Sequence, residues 1–147
     1  MPSGPPSSDH LISRLNAYPG QEAGDLDALA ATVELALSAP ASPELDAALF
    51  GLFERFPRED AFGIYWAALH GLERRGNYEE GLVASLTRMP SSFSLRMIRR
   101  LVNAGRVTCA GESLPDLLKA AAYRHDVDVE SRSEAEEILG QFADRAV

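Results

Sequence analysis

The segment from Leu45 to Gly105 constrains the fold most, because its apolar residues recur every three or four positions. One such series is Leu45, Leu49, Leu52, Phe53 and Phe56. Residues at this spacing share one face of an α-helix. A sustained alternation of apolar and polar residues, which would predict strands, is absent from the chain. The sequence therefore predicts an all-α protein.

Turn residues divide this pattern into seven to eight short predicted helices. Pro40, Pro57 and Pro90 interrupt the periodic runs where loops are expected. The predicted helices lie at about 9–17, 25–39, 43–56, 60–75, 79–88, 93–104, 114–124 and 132–145. Linkers of a few residues favour antiparallel or steeply crossed neighbours, so we expect antiparallel helical hairpins.

The spacing of these helices suggests a repeat. Predicted pairs begin near 25, 60, 93 and 132, a period of about 35 residues that is typical of helical-hairpin repeats. Because repetition of individual residues is poor, a HEAT-like array and a compact irregular bundle are equal alternatives. We expect a single helical domain over 9–147, preceded by a flexible N-terminal segment at 1–8 that is rich in Pro, Ser and Gly.

Short polar residues and glycine mark several predicted helix ends. Ser42 before Pro43 is typical of an N-cap followed by the first helical residue. Ser131 and Glu134 have the spacing of a capping box. Gly105 suits the end of a helix, where a positive φ is needed.

The predicted helix at 60–75 is expected to be central. Its apolar face is formed by Phe62, Tyr65, Trp66 and Leu69. A neighbouring stripe of small residues is formed by Gly63, Ala67 and Gly71. Small residues let another helix approach closely, and a helix that is apolar on most sides is usually buried. We therefore expect Trp66 to lie in the core rather than against a ligand.

The charge of the chain argues against a nucleic-acid ligand. The formal net charge is −8 and the sequence pI is about 4.8, whereas phosphate backbones are bound by Lys and Arg. An acidic chain attracts basic partners, although the same charge can serve solubility alone. We expect no nucleic acid as a partner, and a basic protein partner with solubility as the alternative.

Cys109 is the only cysteine, so no intrachain disulfide can form. An unpaired thiol fits a reducing compartment, and its expected role is that of a small residue near a helix end. The N-terminal residues lack the basic segment and apolar run of a signal peptide. No stretch approaches the roughly 20 apolar residues that span a bilayer. We expect a cytoplasmic protein that does not associate with membranes.

Two segments have partial metal-site patterns. His70 and Glu73 are one helical turn apart, but two ligands do not form a metal site. The segment from Asp126 to Glu137 resembles an EF-hand loop in its ligand positions, but Ser131 occupies the position that requires Gly. We expect no metal or other cofactor, and calcium binding by this segment is left open.

Motifs of known catalytic sites are absent. The chain has no Gly-x-Ser-x-Gly, no plausible Cys-His pair and no Gly-rich phosphate loop. The arginine cluster in 96–100 is more typical of a solvated face, or of pairing with acids, than of an anion site. We expect that the protein is not an enzyme; an unfamiliar site around His70, Glu73 and Asn103 is the minor alternative.

Acidic residues flank two predicted turns, one at Pro57 and one at Gly76-Asn77. Together with nearby tyrosines they predict an acidic, aromatic surface for a basic partner. The predicted partner-binding residues are Glu54, Glu59, Asp60, Tyr65, Glu73, Tyr78, Glu79 and Glu80. The alternative is that these carboxylates serve helix dipoles and solubility.

The middle of the chain carries a family resemblance. The pattern begins with Phe56-Pro57-Arg58-Glu59-Asp60-Ala61-Phe62-Gly63-Ile64-Tyr65-Trp66 and Leu69-His70-Gly71-Leu72-Glu73. It continues with Tyr78-Glu79, Pro90-Ser91-Ser92-Phe93 and Leu101-Val102-Asn103-Ala104-Gly105. Over roughly the middle 60 residues, this pattern resembles the small all-helical immunity proteins of bacterial polymorphic-toxin systems.

The resemblance implies a cytoplasmic immunity protein that binds a cognate toxin domain and blocks it sterically. Toxin domains that act on nucleic acid tend to be basic, which an acidic inhibitor complements. The family carries no shared catalytic residues. The alternative from a different class is a helical-repeat adaptor that binds a peptide or protein within a larger complex.

Overall fold

The computed structural model describes residues 6–145 and confirms the all-α fold. The described helices are α1 (Ser8–Ala17), α2 (Leu26–Ser38), α3 (Pro43–Arg55), α4 (Ile64–Arg75), α5 (Glu79–Arg88), α6 (Ser92–Asn103), α7 (Leu114–Ala122) and α8 (Val129–Arg145). A two-stranded antiparallel hairpin, which the sequence did not predict, pairs β1 (Thr108–Cys109) with β2 (Glu112–Ser113). None of these helices, over the described residues, is long and apolar enough to cross a bilayer.

The chain forms two compact units that divide between Tyr78 and Glu79. Unit 1 contains α1–α4, and unit 2 contains α5–α8 with the β-hairpin. The single domain over 9–147 stays a prediction. Of the N-terminal segment at 1–8 that is predicted to be flexible, residues 1–5 lie outside the described part, and α1 already begins at Ser8.

In unit 1, alternate helices pack side by side: α1 against α3, and α2 against α4. Arg55, at the end of α3, reaches the carbonyl oxygens of Leu15 and Tyr18 at the end of α1, so these two helices run in the same direction. In the same way, Leu37 in the last turn of α2 contacts Gly71 in the C-terminal half of α4. The hairpins α1–α2 and α3–α4 are therefore stacked in the manner of a helical-repeat array.

The repeat period matches the prediction, but its phase does not. The two hairpins begin at Ser8 and Pro43, 35 residues apart. Pair starts at 25 and 60 were expected, yet α2 packs more closely with α1 and α4 than with α3. Unit 2 follows another pattern, in which α8 packs against both α7 and α6 while α5 contacts α6 and α7. Unit 1 thus fits the array alternative and unit 2 fits the irregular bundle.

The core of unit 1 is aromatic. Phe50, Phe53 and Tyr65 are fully buried. The ring centroids of Phe53 and Tyr65 lie 5.7 Å apart with tilted planes, a favourable arrangement for aromatic pairs. A buried ion pair of 2.6 Å between Arg75 Nη2 and Asp46 Oδ1 adds a link between α4 and α3. Both contacts fix α4 against α3.

Two predicted helix ends are confirmed. The Ser42 hydroxyl accepts the N–H of Leu45 at the start of α3, with Pro43 as the first helical residue. Gly105 has φ 86° after α6, and its N–H donates to the Val102 carbonyl over 2.9 Å. Each residue type therefore performs the expected role at its position.

The predicted start of the last helix is wrong. α8 begins at Val129, so Ser131 lies inside the helix instead of capping it. The Asp128 carboxylate accepts the Ser131 N–H over 3.1 Å. An aspartate earlier in the chain satisfies the first amides of the helix, which leaves no capping role for the serine.

Candidate protein-binding surface

The eight residues predicted to contact a partner divide between the two units. Unit 1 holds Glu54, Glu59, Asp60, Tyr65, Glu73 and Tyr78, and unit 2 holds Glu79 and Glu80. Asp60 and Glu80 are exposed, whereas most of the others are half-buried. Within unit 1, Glu59 and Asp60 lie next to each other in the segment between α3 and α4.

Tyr65 does not lie on a surface, which corrects the prediction that it anchors a partner. Its side chain has no exposure to solvent and packs against Phe53. Burial, together with the nearby Tyr18 and Glu59, raises the pKa of the Tyr65 phenol. Because α4 begins at Ile64, the first turn of the helix directs this ring into the core.

The predicted apolar face of α4 is also wrong at two of its four residues, Phe62 and Trp66. Phe62 precedes the helix and is 77% exposed, the highest value among the large apolar side chains of the described residues. Trp66 was expected in the core but is only partly buried, and its ring stacks on His70 with centroids 6.0 Å apart. The helix starts later than predicted, so Phe62 precedes it, and Trp66 lies beside the buried face formed by Tyr65, Leu69 and Leu72.

Three consecutive residues before α4 adopt left-handed backbone conformations. The φ angles are 49° at Ala61, 53° at Phe62 and 94° at Gly63. Glycine adopts such angles readily, but the left-handed conformation costs about 1–2 kcal/mol for each of the two non-glycine residues. We refer to Asp60–Gly63 as the left-handed turn. Its strained backbone is held in place by neighbouring groups.

Asp60 supplies the local hydrogen bonds of the left-handed turn. Its carboxylate Oδ1 accepts the Phe62 N–H over 3.1 Å. Its backbone carbonyl accepts the N–H groups of Gly63 over 3.1 Å and Tyr65 over 3.2 Å. One residue thus accepts hydrogen bonds from two amides of the turn and from one amide in the first turn of α4.

Gln21, from the loop between α1 and α2, clasps the turn from the other side. The Gln21 N–H donates to Glu59 Oε1 over 3.0 Å, and the Ala61 N–H donates to Gln21 Oε1 over 3.2 Å. The neighbouring Gly20 has φ 106°, and a Cβ there would lie 3.1 Å from the Phe56 ring. This pair of hydrogen bonds, the Gln21 clasp, joins segments that are 38 to 40 residues apart in sequence.

A second layer of contacts supports the clasp. The Arg55 guanidinium donates to the carbonyls of Leu15 over 2.7 Å and Tyr18 over 2.9 Å. The Tyr18 and Phe56 rings meet edge to face at 5.7 Å, and Arg55 lies 5.0 Å from the centroid of the Phe56 ring. Burial, followed by the charge of Glu59, raises the pKa of Tyr18.

The surroundings of the left-handed turn are acidic. Asp60 is exposed and Glu59 is partly exposed. The Gln21 clasp places Glu22, which is exposed, on the adjacent loop. Arg55 and Arg58 are exposed basic residues of the same region, so three carboxylates lie near two arginines. The surface around Phe62 therefore has a negative potential.

Glu79, whose predicted contact with a partner stays a prediction, has contacts within unit 2. Its carboxylate accepts Arg106 Nη2 over 2.8 Å and the Ala110 N–H over 3.3 Å. The hydrogen bond from Arg106 is the main reason that the pKa of Glu79 lies below its usual value. This carboxylate fixes the β-hairpin of unit 2, whereas its neighbour Glu80 is exposed.

Neither metal pattern is assembled as its spacing suggested. His70 Nδ1 and Glu73 Oε1 lie 3.9 Å apart. Among residues 6–145, no three His, Cys, Asp or Glu side chains are grouped closely enough to hold a metal ion. Asn103, the third residue of the minor enzymatic alternative, lies in unit 2 at the end of α6, whereas His70 and Glu73 lie in unit 1.

The segment that resembles an EF-hand loop is mostly helix. α8 runs from Val129 through the position of the expected twelfth ligand, Glu137. Asp126 is held by Arg124 in a two-pronged contact of 2.9 and 2.7 Å. Glu137 lies 3.6 Å from Arg99. Carboxylates that are spread along a helix and paired with arginine do not form a calcium loop.

Cys109 lies in the β-hairpin rather than near a helix end, which corrects the prediction. The thiol is buried in β1, and its Sγ donates weakly to the Glu79 carbonyl over 3.8 Å. Burial and the charge of Glu79 raise the pKa of Cys109 to about 12. A thiol with this pKa is a poor nucleophile at neutral pH.

The sequence analysis assigned Phe62 to the apolar face of a helix rather than to the surface, and it did not consider Gln21. Asp60 and Gly63 were available as a signal, since an aspartate and a glycine that frame two residues are typical of a turn. The helical spacing of Phe62 with Tyr65 and Trp66 masked that signal. Gln21 had no local signal, because its contacts are long-range.

Comparisons of the chain with protein-family models, with functionally described proteins and with solved structures find no match. No family, relative or structural neighbour therefore bears on the function.

Proposed function

We propose that this chain is a cytoplasmic immunity protein, without enzymatic activity, that binds a basic toxin domain and covers its active site. The observation that carries the proposal is the uneven distribution of charge. Unit 1 has 11 acidic and five basic residues, whereas unit 2 has 11 acidic and nine basic residues. Most of the formal net charge of −8 is therefore concentrated on one unit.

Most carboxylates of unit 1 are exposed and contribute to its field. The exposed acidic residues of the unit are Asp9, Glu22, Asp25, Asp27, Glu34, Glu44 and Asp60. Complementary charge steers diffusional encounter, so association at low salt can reach about 10⁸–10⁹ M⁻¹ s⁻¹, compared with about 10⁵–10⁶ M⁻¹ s⁻¹ without steering. Fast capture suits an inhibitor that must bind a toxin before the toxin finds its substrate.

Inhibition in this proposal requires no chemistry from the chain. A bound helical surface excludes substrate from the toxin, and exposed carboxylates occupy the basic positions that would hold nucleic acid. The resemblance of the middle segment to immunity proteins supports the same role. No cofactor is needed for this mechanism.

Co-expression tests the proposal directly. The chain is produced together with the C-terminal domain of a toxin-like protein encoded beside its gene, and survival and co-purification are scored. We expect survival with the chain, death without it, and a stable one-to-one complex. If both proteins are folded and the chain neither rescues growth nor binds, the immunity role is wrong.

Charge reversal tests the contribution of unit 1. The variant Glu22→Lys, Asp27→Lys, Glu34→Lys changes three exposed carboxylates of that unit. We expect slower association at low salt and a weaker dependence of the association rate on salt, with little change in dissociation.

The matched control carries the same change of net charge on unit 2. It is Asp116→Lys, Glu130→Lys, Glu136→Lys, three exposed positions in α7 and α8. Two of these residues lie in the first turn of a helix, compared with one, Asp27, in the unit 1 variant, so the control is expected to cost at least as much helix stability. Equal effects of the two triple variants on association would contradict a role for unit 1 as the steering surface.

The stacked hairpins of unit 1 favour a second candidate, a helical-repeat adaptor. A groove of about 460 Å³ lies between α2 and α4, with Val33, Leu37 and Ile64 among its lining residues. Such grooves accept the apolar face of an amphipathic helix. This alternative predicts several partners in pull-downs from the native host, and no toxin-like gene beside its own.

A further inference from the structure

We propose that Phe62 is the anchor by which unit 1 holds its partner, and that its ring enters an apolar pocket with a basic rim. The proposal deepens the proposed function and rests on it for the class of partner, a basic protein. It depends on three properties of the left-handed turn: the exposure of the ring, the fixed backbone and the surrounding charge.

The exposure of Phe62 is unusual for its unit. Four large apolar side chains are strongly exposed in the described residues, namely Phe62, Val107, Tyr123 and Val129. Phe62 is the only one of them in unit 1. Large aromatic side chains dominate the energetics of many interfaces, because a ring buries a wide apolar area and has only two side-chain torsions to fix.

The backbone that carries the ring is fixed before any partner binds. Ala61 and Phe62 both hold φ angles near 50°, which an alanine or phenylalanine avoids in a flexible loop. Asp60 and the Gln21 clasp bond the amides of these two residues. A fixed backbone lowers the entropic cost of ordering an anchor on binding.

The charge around the ring selects the partner. Glu22, Glu59 and Asp60 lie on the two loops that the Gln21 clasp joins, and they outnumber the exposed arginines there, Arg55 and Arg58. A pocket that receives the ring therefore comes within reach of three carboxylates. Lys or Arg at the rim of that pocket would complement them, and an acidic rim would be repelled.

The groove of unit 1 begins beside the anchor. Ile64, two residues after Phe62, lines the groove between α2 and α4. A partner seated on the ring that extends along α4 would next meet this groove, whose lining includes Ala67 and Leu37. This continuity favours a protein partner over a small ligand, since both contacts can be made by one surface.

A pair of aromatic deletions tests the anchor. Phe62→Ala removes the ring, and Tyr123→Ala is the control, because Tyr123 is 71% exposed but follows α7 at an ordinary φ of −104°. We expect Phe62→Ala to weaken binding of the co-purified partner by about 30-fold or more, as for an interface hot spot, and Tyr123→Ala by less than about threefold. Thermal unfolding of the unbound variants checks that both remain folded.

A third variant separates the ring from its support. Gln21→Ala removes the side-chain half of the clasp and leaves Phe62 in place. We expect binding to weaken by about three- to tenfold, because only part of the population then holds the turn in the binding conformation. The proposal is overturned if the affinity of the Phe62→Ala variant for the partner is within about threefold of that of the unmodified chain.

The outcomes separate the two proposals. If the unmodified chain binds its toxin but Phe62→Ala binds equally well, the anchor is wrong and the immunity role stands. If the chain neither binds nor neutralises a toxin, the immunity role is wrong. The same variants are then compared against the partner found in pull-downs, where indifference to Phe62→Ala overturns the anchor. Failure to capture any partner by either route overturns both proposals.

Discussion

Gly71 of α4 lies directly against the Leu37 side chain of α2 in unit 1. A Cβ on Gly71 would lie 2.3 Å from Leu37 Cδ1, 3.0 Å from Cδ2 and 3.2 Å from Cγ. Atoms do not approach so closely, and three contacts mean that the whole leucine side chain would have to move. The absence of a side chain at Gly71 therefore leaves the space that the Leu37 side chain occupies.

The first prediction is that Gly71→Ala destabilises the protein by about 1–3 kcal/mol, because the added methyl overpacks the contact with Leu37. Gly51→Ala is the matched control, since Gly51 lies in α3 with no atom within 4 Å of a built Cβ. Alanine there should stabilise by up to about 1 kcal/mol, through helix propensity alone. Urea unfolding measures both, and a shift of the same sign in the two variants would count against the close contact.

The sequence predicted this contact through the stripe of small residues, but only in part. Gly71 does meet another helix, whereas a Cβ on Gly63 would meet no atom within 4 Å and Ala67 is exposed. Helical spacing shows which residues share a face, but not how far along that face a neighbouring helix reaches. Local chemistry was more reliable, since Ser42 and Gly105 act where expected.

The candidate surface was the least predictable part. Glu59 and Asp60 were identified as a group, but Phe62 was assigned to the core and Gln21 was not considered. The left-handed turn depends on hydrogen bonds between residues about 40 positions apart, as for Gln21 and Ala61. Periodicity and propensity describe neighbours in sequence, so a backbone held by distant groups leaves no local signal.

The second prediction concerns Arg55. Its two terminal nitrogens donate to Leu15 and Tyr18 carbonyls at once, and a lysine ammonium cannot span both acceptors in the same way. We expect Arg55→Lys to lower the free energy of unfolding by about 1–2 kcal/mol. Arg58→Lys, at an exposed position three residues on, is the control and should change it by less than about 0.5 kcal/mol. Similar losses in both variants would rule out the bridging role.

The third prediction uses the turn of the β-hairpin. Ala110 and Gly111 have φ angles of 51° and 80°, which is the pattern of a type I′ turn. Asn tolerates the left-handed region better than alanine, so Ala110→Asn should raise stability by up to about 1 kcal/mol. Ala84→Asn, at an exposed site within α5, should instead lower it by roughly 0.5 kcal/mol. Thermal unfolding distinguishes the two variants. Destabilisation by both would argue against a positive φ at Ala110 in solution.

The fourth prediction is a pH dependence from Glu79 and Arg106. The hydrogen bond from Arg106 lowers the pKa of folded Glu79 below its usual 4.5, so the unfolded chain takes up this proton at a higher pH. The stabilisation is therefore present above the unfolded pKa and is lost as pH falls through the folded pKa. Arg106→Gln should be less stable than the unmodified chain near pH 7, with the difference shrinking toward about pH 3.

Lys119→Gln is the control for Arg106→Gln, because it removes one positive charge from an exposed site of the same unit. Its difference from the unmodified chain should vary little over the same range of acid pH. Unfolding free energies from urea titrations at several pH values supply the comparison. A stability difference for Arg106→Gln that does not change between neutral and acid pH would mean that the ion pair is not the cause.

The fifth prediction is that the thiol of Cys109 is unreactive in the folded protein. Its pKa of about 12 results from burial and, secondly, from the charge of Glu79. At about pH 8 only roughly one thiol in ten thousand would then be ionised, and the side chain has no exposure to solvent. Iodoacetamide labelling followed by mass spectrometry should show slow modification of the native chain and rapid modification in denaturant. Labelling of the native protein as fast as that of free cysteine in the same tube would show that the hairpin does not protect the thiol.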